Sequence, residues 1–295
     1  MVQDIVKTLI NDGYVTVAAN VHKISPDLIR DSTIAIQEIT EHIRQLKCEH
    51  SFVRDGEEER DIFLVHRDGS GNKDLKYFLH ISHDVDEYIS RNCVLAKALE
   101  SQCRNMALLK KLHADLQHFV LQILWEVDNG YEDIFALNLA DAFLDSVRKS
   151  SPYGVTTLRG LWYPNQVGQS GARGHFDRDL LTAHLGDSGG QLNAFRTLDG
   201  GLVKPVSPEQ GEILLFWGIK ALWASNGKVM PLKHGSTIIP GQDRRALVQF
   251  NHVEVGRKIV TAEDSFYEYC AKFGVSDPDD WYRSSFNRIE LKGGP

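Results

Sequence analysis

From residue 151 to about residue 255, glycines and prolines break the chain into short segments rich in Val, Leu, Thr, Phe and Trp. That texture predicts a many-stranded antiparallel sandwich or barrel, because each short alternating segment buries one face and turns back at a Gly or Pro. Residues 1–150 carry mainly helical spacing, and helical spacing returns at 262–273. No Pro, Gly or Ser linker and no internal repeat divides the chain. The expected architecture is α+β, built as one structural unit. A helical region (1–150) packs on a β core (151–258), followed by a C-terminal helical extension (259–295).

Within the first half, Ile5 and Leu9 lie one turn apart, Gly13 suits a left-handed helix end, and Tyr14-Val15-Thr16-Val17 reads as a short strand. Ser25 is placed to cap a second helix whose first position is Pro26, with Ile36, Ile39, Ile43 and Leu46 at helical spacing. Residues 55–73 read as loop. Inside them, Asp68-Gly69-Ser70-Gly71-Asn72 is expected to be a turn rather than a phosphate cradle, since no helix signature follows it. One long amphipathic helix is expected over 94–125, with Leu108, Leu112, Leu116, Phe119 and Ile123 on its core face.

Hydrophobic residues at 42% and charged residues at 25% describe a chain able to fold, not a disordered one. The net charge of -7 is dispersed, and no basic run is interleaved with aromatics, so nucleic acid and anionic membrane are poor partners. The start, Met1-Val2-Gln3-Asp4-Ile5-Val6-Lys7, has an acid where a signal peptide carries positive charge and only a short, interrupted apolar stretch, so secretion is not expected, and no stretch approaches the roughly 20 apolar residues of a membrane helix. A soluble, cytoplasmic protein is expected. Cys48, Cys93, Cys103 and Cys270, irregularly spaced in a long chain, are expected to be reduced structural thiols. Nothing in the sequence reads as an oligomerisation signal, so the oligomeric state stays open.

The chemistry-bearing pattern is Arg173-Gly174-His175-Phe176-Asp177. Read as a strand, it projects His175 and Asp177 to one side. A second histidine would complete a two-histidine, one-carboxylate set that leaves coordination positions open on iron(II). His-x-Asp alone is a short pattern, equally consistent with a core or surface histidine beside a solvated aspartate. His234 supplies the second imidazole, with enough chain between for several strands to return it opposite the first pair. His80, His83 and His184 lack the feature that follows His234.

That feature is Arg244-Arg245-Ala246-Leu247-Val248-Gln249-Phe250. Ala246, Val248 and Phe250 share a face with Arg244, so an inward apolar face carries Arg244 inward too. A buried guanidinium requires an anion, which a dicarboxylate co-substrate or an internal acidic side chain could supply. A bulge would instead turn Arg245 inward.

Taken together, these residues resemble the isopenicillin N synthase-like group of 2-oxoglutarate and iron(II) dependent oxygenases. The resemblance spans nearly the whole chain, from Asn11-Asp12-Gly13-Tyr14-Val15-Thr16-Val17 onward. Its specific parts are Leu158-Arg159-Gly160-Leu161-Trp162-Tyr163-Pro164, then His175-Phe176-Asp177 with Leu181-Thr182 and Asp187-Ser188-Gly189-Gly190. Val206-Ser207-Pro208, Gly211-Glu212-Ile213-Leu214-Leu215 and Ser225-Asn226-Gly227 then lead in order to His234. The resemblance implies a double-stranded β-helix (jelly roll) core and Fe(II) held by His175, Asp177 and His234. It further implies 2-oxoglutarate with its distal carboxylate on Arg244 and Tyr163, and O2 as oxidant. The chain departs from the family at Leu161, often Asn there, and at Trp217-Gly218-Ile219-Lys220. Gly235-Ser236 stands where Arg-Val is usual, and Ala246 replaces a serine that would add a hydrogen bond to the co-substrate.

The implied activity is oxidation of a small-molecule substrate. Hydroxylation is the default outcome, with desaturation or cyclisation open to the same hydrogen abstraction. Asp177 as a ligand leaves no position for chloride and disfavours halogenation. Phe195, Phe216 and Trp217 are candidates either for a substrate pocket or for ordinary core. Two other classes compete: a non-redox zinc-type metalloenzyme using the same three ligands, and a jelly-roll small-molecule binding module. An inward Arg244 argues against the first, and the metal set against the second.

Overall fold

A computed structural model describes residues 2–46, 63–66, 76–91, 93–135, 137–148, 156–163, 176–195, 203–225 and 227–253. Helix α1 (Val2–Asp12) buries Ile5, Val6 and Leu9. It closes at Gly13, whose φ is 80° and whose N–H donates to the Leu9 carbonyl at 3.1 Å. Strand β1 (Tyr14–Ala18) follows directly. Helix α2 (Pro26–Gln45) starts where expected, with the Ser25 hydroxyl accepting the Leu28 N–H at 3.4 Å. Ile36, Ile39 and Ile43 are buried, whereas Leu46, beyond the last helical residue, is 47% exposed.

Two short strands, β2 (Phe63–His66) and β3 (Lys76–Ile81), pair antiparallel. β2 lies inside the stretch expected to be loop. The Asp68–Asn72 turn expectation falls outside the described residues. After α3 (Val85–Arg91), the single helix expected over 94–125 is two, α4 (Cys93–Leu99) and α5 (Cys103–Gly130), joined by a 3-10 turn over Glu100–Gln102. The reason lies in the polar Glu100-Ser101-Gln102, none of which is buried. The apolar stripe is interrupted after Leu99 and resumes at Met106 beyond that tighter turn. Cys93 and Cys103 are free thiols, as expected, and both are exposed; Cys48 and Cys270 lie outside the described residues.

Helix α6 (Leu139–Arg148) is capped twice: Asn138 Oδ1 accepts the Asp141 N–H, and the Asp128 carboxylate accepts the N–H groups of Leu139 and Ala140. Strands β4 (Thr157–Tyr163), β5 (Leu181–Ser188), β6 (Gly190–Phe195), β7 (Val203–Pro205) and β8 (Glu212–Trp217) come next. They are followed by a short helix α7 (Ile219–Ala224), which the β texture had not suggested, and by β9 (Lys233–Ile238) and β10 (Arg244–Asn251). The helix expected at 262–273 and the extension 259–295 lie outside the described residues.

The architecture is therefore mixed helix and antiparallel sheet. A seven-stranded sheet has the order β1-β8-β5-β10-β4-β3-β2, and a three-stranded sheet the order β7-β6-β9. Three of the seven strands, β1, β2 and β3, come from residues before 150. Alternation divides the large sheet cleanly. Leu181, Ala183, Leu185, Ile213, Leu215, Trp217 and Leu247 face the layer of α1, α2 and α5 in one extensive core. Gly160 is demanded on that face, because a Cβ there would stand 1.9 Å from Ile36 Cδ1 of α2. The opposite face carries Leu214 and Phe216, which meet Leu192 and Ala194 of the small sheet. The candidate site sits between the two sheets. Among the described residues, no helix is long and apolar enough to cross a membrane.

Candidate metal and co-substrate site

Asp177 is not in a strand, contrary to the alternation reading of His175-Phe176-Asp177. Phe176 and Asp177 are irregular, and β5 begins only at Leu181. The segment is held instead by the turn between β8 and α7. The Ile219 N–H donates to the Asp177 carbonyl at 2.8 Å and the Gly218 N–H to the Leu180 carbonyl at 2.9 Å. Gly218 packs so closely that a Cβ would lie 2.1 Å from the Asp179 carbonyl oxygen and 2.8 Å from that of Asp177. The Asp177 side chain, 7% exposed, accepts the Thr182 hydroxyl at Oδ2 over 2.7 Å.

His234 enters from the small sheet, where β9 pairs it with Ala194 of β6. Its ring lies 4.7 Å from the Phe216 ring, tilted by 60°, and it is 5% exposed. Nδ1 is 3.2 Å from the Leu232 carbonyl, which accepts a hydrogen and so assigns the proton to Nδ1. Nε2 then presents a lone pair, and it faces Asp177 Oδ1 at 3.7 Å. Two electron-pair donors aimed at one point suit a shared cation. Bonds of about 2.1 Å to one ion set such donors about 3.0 Å apart at a right angle and about 3.6 Å apart at 120°, and the 3.7 Å found corresponds to the wider of these. Imidazole with carboxylate is a donor set that fits iron(II) as a divalent ion. His175, the third expected ligand, lies outside the described residues. Among the described residues, no group of three or more His, Cys, Asp or Glu converges on a metal position.

Arg244 opens β10 and is 2% exposed. Its guanidinium carbon stands 5.1 Å from the ring centre of Tyr163, its directly paired residue on β4. Its stem crosses β6 at Gly190, where a Cβ would meet Arg244 Cδ at 2.3 Å. Arg245 is the outer of the two, its side chain 27% exposed and 4.0 Å from Asp243. A bulge exists, but it falls between Ala246 and Leu247 against β5 and leaves Arg244 inward.

Of the other histidines, His80 accepts a hydrogen bond from Arg159 Nε at 2.8 Å, and His184 is 2% exposed on the inter-sheet face. The aromatic candidates separate. Phe216 reaches the site, while Trp217 points to the helix layer, donates to the Leu9 carbonyl at 2.9 Å and packs on Phe135. The Phe195 side chain lies outside the described residues. Thr182, Gly190 and Gly218 were not singled out as site residues. Alternation along β5 puts Thr182 on the face of the metal pair; the glycine contacts join distant segments and leave no local mark.

The fold, two antiparallel sheets backed by helices, is shared with solved structures of proteins described as dioxygenases or as 2-oxoglutarate and iron(II) oxygenases. Among solved structures, the dioxygenase for auxin oxidation 1 of Arabidopsis thaliana, in its 2-oxoglutarate complex, superposes with TM-score 0.66 at 17% identity, over 89% of this chain and 93% of that one. A full-length Neurospora crassa protein in complex with alpha-KG and thymine gives 0.61 at 14%, over 94% and 91%. The rice dioxygenase for auxin oxidation gives 0.57 at 15%, over 99% and 89%. At these identities the likeness is one of fold. No protein-family model matches the chain, and no curated protein matches it in sequence.

Proposed function

We propose that this chain is a mononuclear non-haem iron(II) dioxygenase that consumes 2-oxoglutarate and O2 to oxidise a small molecule. In this reading His175, Asp177 and His234 hold the iron, and Arg244 with Tyr163 holds the distal carboxylate of 2-oxoglutarate. The two sheets form a double-stranded β-helix, and residues 1–150, 151–258 and 259–295 make one structural unit around it. The observation that carries the reading is the meeting of His234 Nε2 and Asp177 Oδ1 at 3.7 Å between the same two sheets into which Arg244 is buried.

Iron bound there would supply the activation of O2, coupling decarboxylation of 2-oxoglutarate to succinate and CO2 with insertion of the other oxygen atom into a substrate C–H bond. The protein's residues do the rest. Thr182 fixes which Asp177 oxygen faces His234. The Leu232 carbonyl fixes the His234 tautomer. Arg244, stacked on Tyr163 and shielded from water, offers a planar fork to a carboxylate. Leu192, Ala194, Leu214 and Phe216 keep the surroundings apolar, so charge pairs are strong and water is scarce. Hydroxylation is the expected outcome. Two of the proteins that share the fold are described as acting in auxin oxidation or as holding thymine, which supports a small organic substrate.

The test is oxygen-dependent conversion of 2-oxoglutarate to succinate by the iron-loaded full chain. Turnover should require iron(II) and disappear in Asp177→Ala and His234→Ala. Succinate formation that survives both substitutions would reject the assignment.

A further inference from the structure

Resting on the oxygenase reading, we propose that Asn251 is a positioning residue for the iron site. It seats the segment that carries Asp177 and Thr182, and α5 steadies it through a buried chain of hydrogen bonds. Leu247, Gln249 and Asn251 share the face of β10 turned to the helices, and the two amides are fully buried there among apolar side chains. Asn251 Nδ2 donates to the Leu181 carbonyl at 2.9 Å, and the Asn251 carbonyl accepts the Leu180 N–H at 3.1 Å. Gln249 Nε2 donates to Asn251 Oδ1 at 2.9 Å. Gln249 Oε1 is 2.8 Å from His113 Nδ1 of α5, and His113 Nε2 is 3.1 Å from Gln117 Nε2. The direction of the chain follows from its inner end. A main-chain carbonyl only accepts, so Asn251 turns its amide nitrogen to Leu181 and its oxygen to Gln249. Gln249 then turns its oxygen to His113, which donates from Nδ1 and accepts from Gln117 at Nε2. All the donors point one way, from helix to strand, and each bond polarises the next.

The place where the chain ends gives it a role. Leu181 directly precedes Thr182, whose hydroxyl holds Asp177 Oδ2. The Leu180 carbonyl accepts the Gly218 N–H, and that of Asp177 the Ile219 N–H. The segment 177–182 is thus gripped from two sides, by main chain at the turn between β8 and α7 and by Asn251 at the end of β10. The pairing of β10 with β5 shifts at the bulge between Ala246 and Leu247, so the register set at the Arg244 end does not by itself fix where β5 begins. Asn251, opposite Leu181 beyond the bulge, fixes it. A slip of one residue would turn Gln249 and Asn251 to the other face and leave His113 without its partner, so the network accepts a single register. Apolar side chains could fill the same layer without any such constraint. A role confined to stability predicts the same burial; the two differ in what a bound metal ion feels.

Two measurements on the full chain test this: iron(II) affinity by competition against a chelator, and amide hydrogen exchange at Leu180, Gly218 and Ile219 without metal. Asn251→Leu should weaken iron binding by about tenfold or more, the scale of losing a partner that orients a ligand. It should also speed exchange at those three amides at least tenfold. Gln249→Met keeps Asn251 but ends its support, and should show the same changes to a smaller extent. Leu116→Ala, a truncation on the buried face of α5, is the control: it should lower stability and leave iron affinity within twofold. At saturating iron, the KM for 2-oxoglutarate in Asn251→Leu should stay within threefold, since Arg244 stands at the other end of β10. If Asn251→Leu does not fold, Gln249→Met against Leu116→Ala decides. Iron affinity and exchange within twofold of wild type in the amide variants, or equal losses in Leu116→Ala, would overturn the proposal and leave the oxygenase reading standing. No charge-transfer band in wild type, with zinc(II) still bound and its affinity lowered by Asn251→Leu, would reject the oxygenase reading and uphold the positioning role. A wild-type chain that binds neither ion would overturn both.

Discussion

Thr182 donates its hydroxyl hydrogen to Asp177 Oδ2 at 2.7 Å, and the other carboxylate oxygen is thereby left facing His234. Partners of this kind orient a ligand and commonly govern metal affinity by 10- to 100-fold. Thr182→Val should weaken iron(II) binding by about that factor, and Thr182→Ser should recover most of it. Competition against a chelator reads both; equal affinity in all three proteins would show that Thr182 does not position Asp177.

Gly218 is the backbone counterpart of that contact. Gly218→Ala sets a methyl against the Asp179 and Asp177 carbonyl oxygens, where only main-chain movement can relieve it. A loss of about 1–3 kcal/mol in stability is expected, together with weaker iron binding. Gly130→Ala is the control, since nothing lies within 4 Å of a Cβ there. Thermal unfolding and iron titration check the pair, and a Gly218→Ala protein as stable as the control would contradict the tight packing.

Arg244→Gln should raise the KM for 2-oxoglutarate by about 30-fold or more, the scale of removing one member of a buried charge pair. Gly190→Ala should act in the same direction without touching the charge, because its methyl would displace the Arg244 stem. A 2-oxoglutarate titration of succinate release measures both. An unchanged KM in Arg244→Gln would place the co-substrate elsewhere.

His113 makes the fold sensitive to acid away from the site. On the buried face of α5, it donates through Nδ1 to Gln249 at 2.8 Å and accepts from Gln117 at Nε2 over 3.1 Å, a neutral tautomer with both nitrogens engaged. Burial lowers its pKa to about 4. An unfolded histidine titrates near 6.5, so the unfolded chain binds the proton first. The contribution is intact above about pH 6.5 and is lost as pH drops toward 4, the loss reaching about 2 kcal/mol at pH 5. His113→Gln should be less stable at pH 7.5 yet show a shallower decline to pH 5 in urea unfolding. Parallel declines would refute the assignment.

The parity of β10 was legible in the sequence, because alternation survives wherever one face is buried, and the bulge lies downstream of Arg244. The start of α2 was legible for a similar reason: Ser25 and Pro26 act locally. What escaped depends on distant chain. Asp177 is placed by the turn at Gly218, not by strand alternation, so the pairing of Asp177 with His234 was reached through the wrong local geometry. The break between α4 and α5 was hidden because helical spacing continues on both sides of Glu100-Ser101-Gln102. The strand β2 pairs with β3, and its local mark, the apolar run Ile62-Phe63-Leu64-Val65, is short and set among polar residues. Trp217 follows Phe216 by one position and so falls on the opposite face, a distinction that composition alone does not make.

The most direct measurement is anaerobic addition of iron(II) and then 2-oxoglutarate to the full chain, followed by visible absorption. A charge-transfer band saturating at one iron per chain, and missing in His234→Ala, is the expected result. Absence of any band in the wild-type protein at saturating iron and 2-oxoglutarate would contradict an iron and 2-oxoglutarate centre at Asp177 and His234.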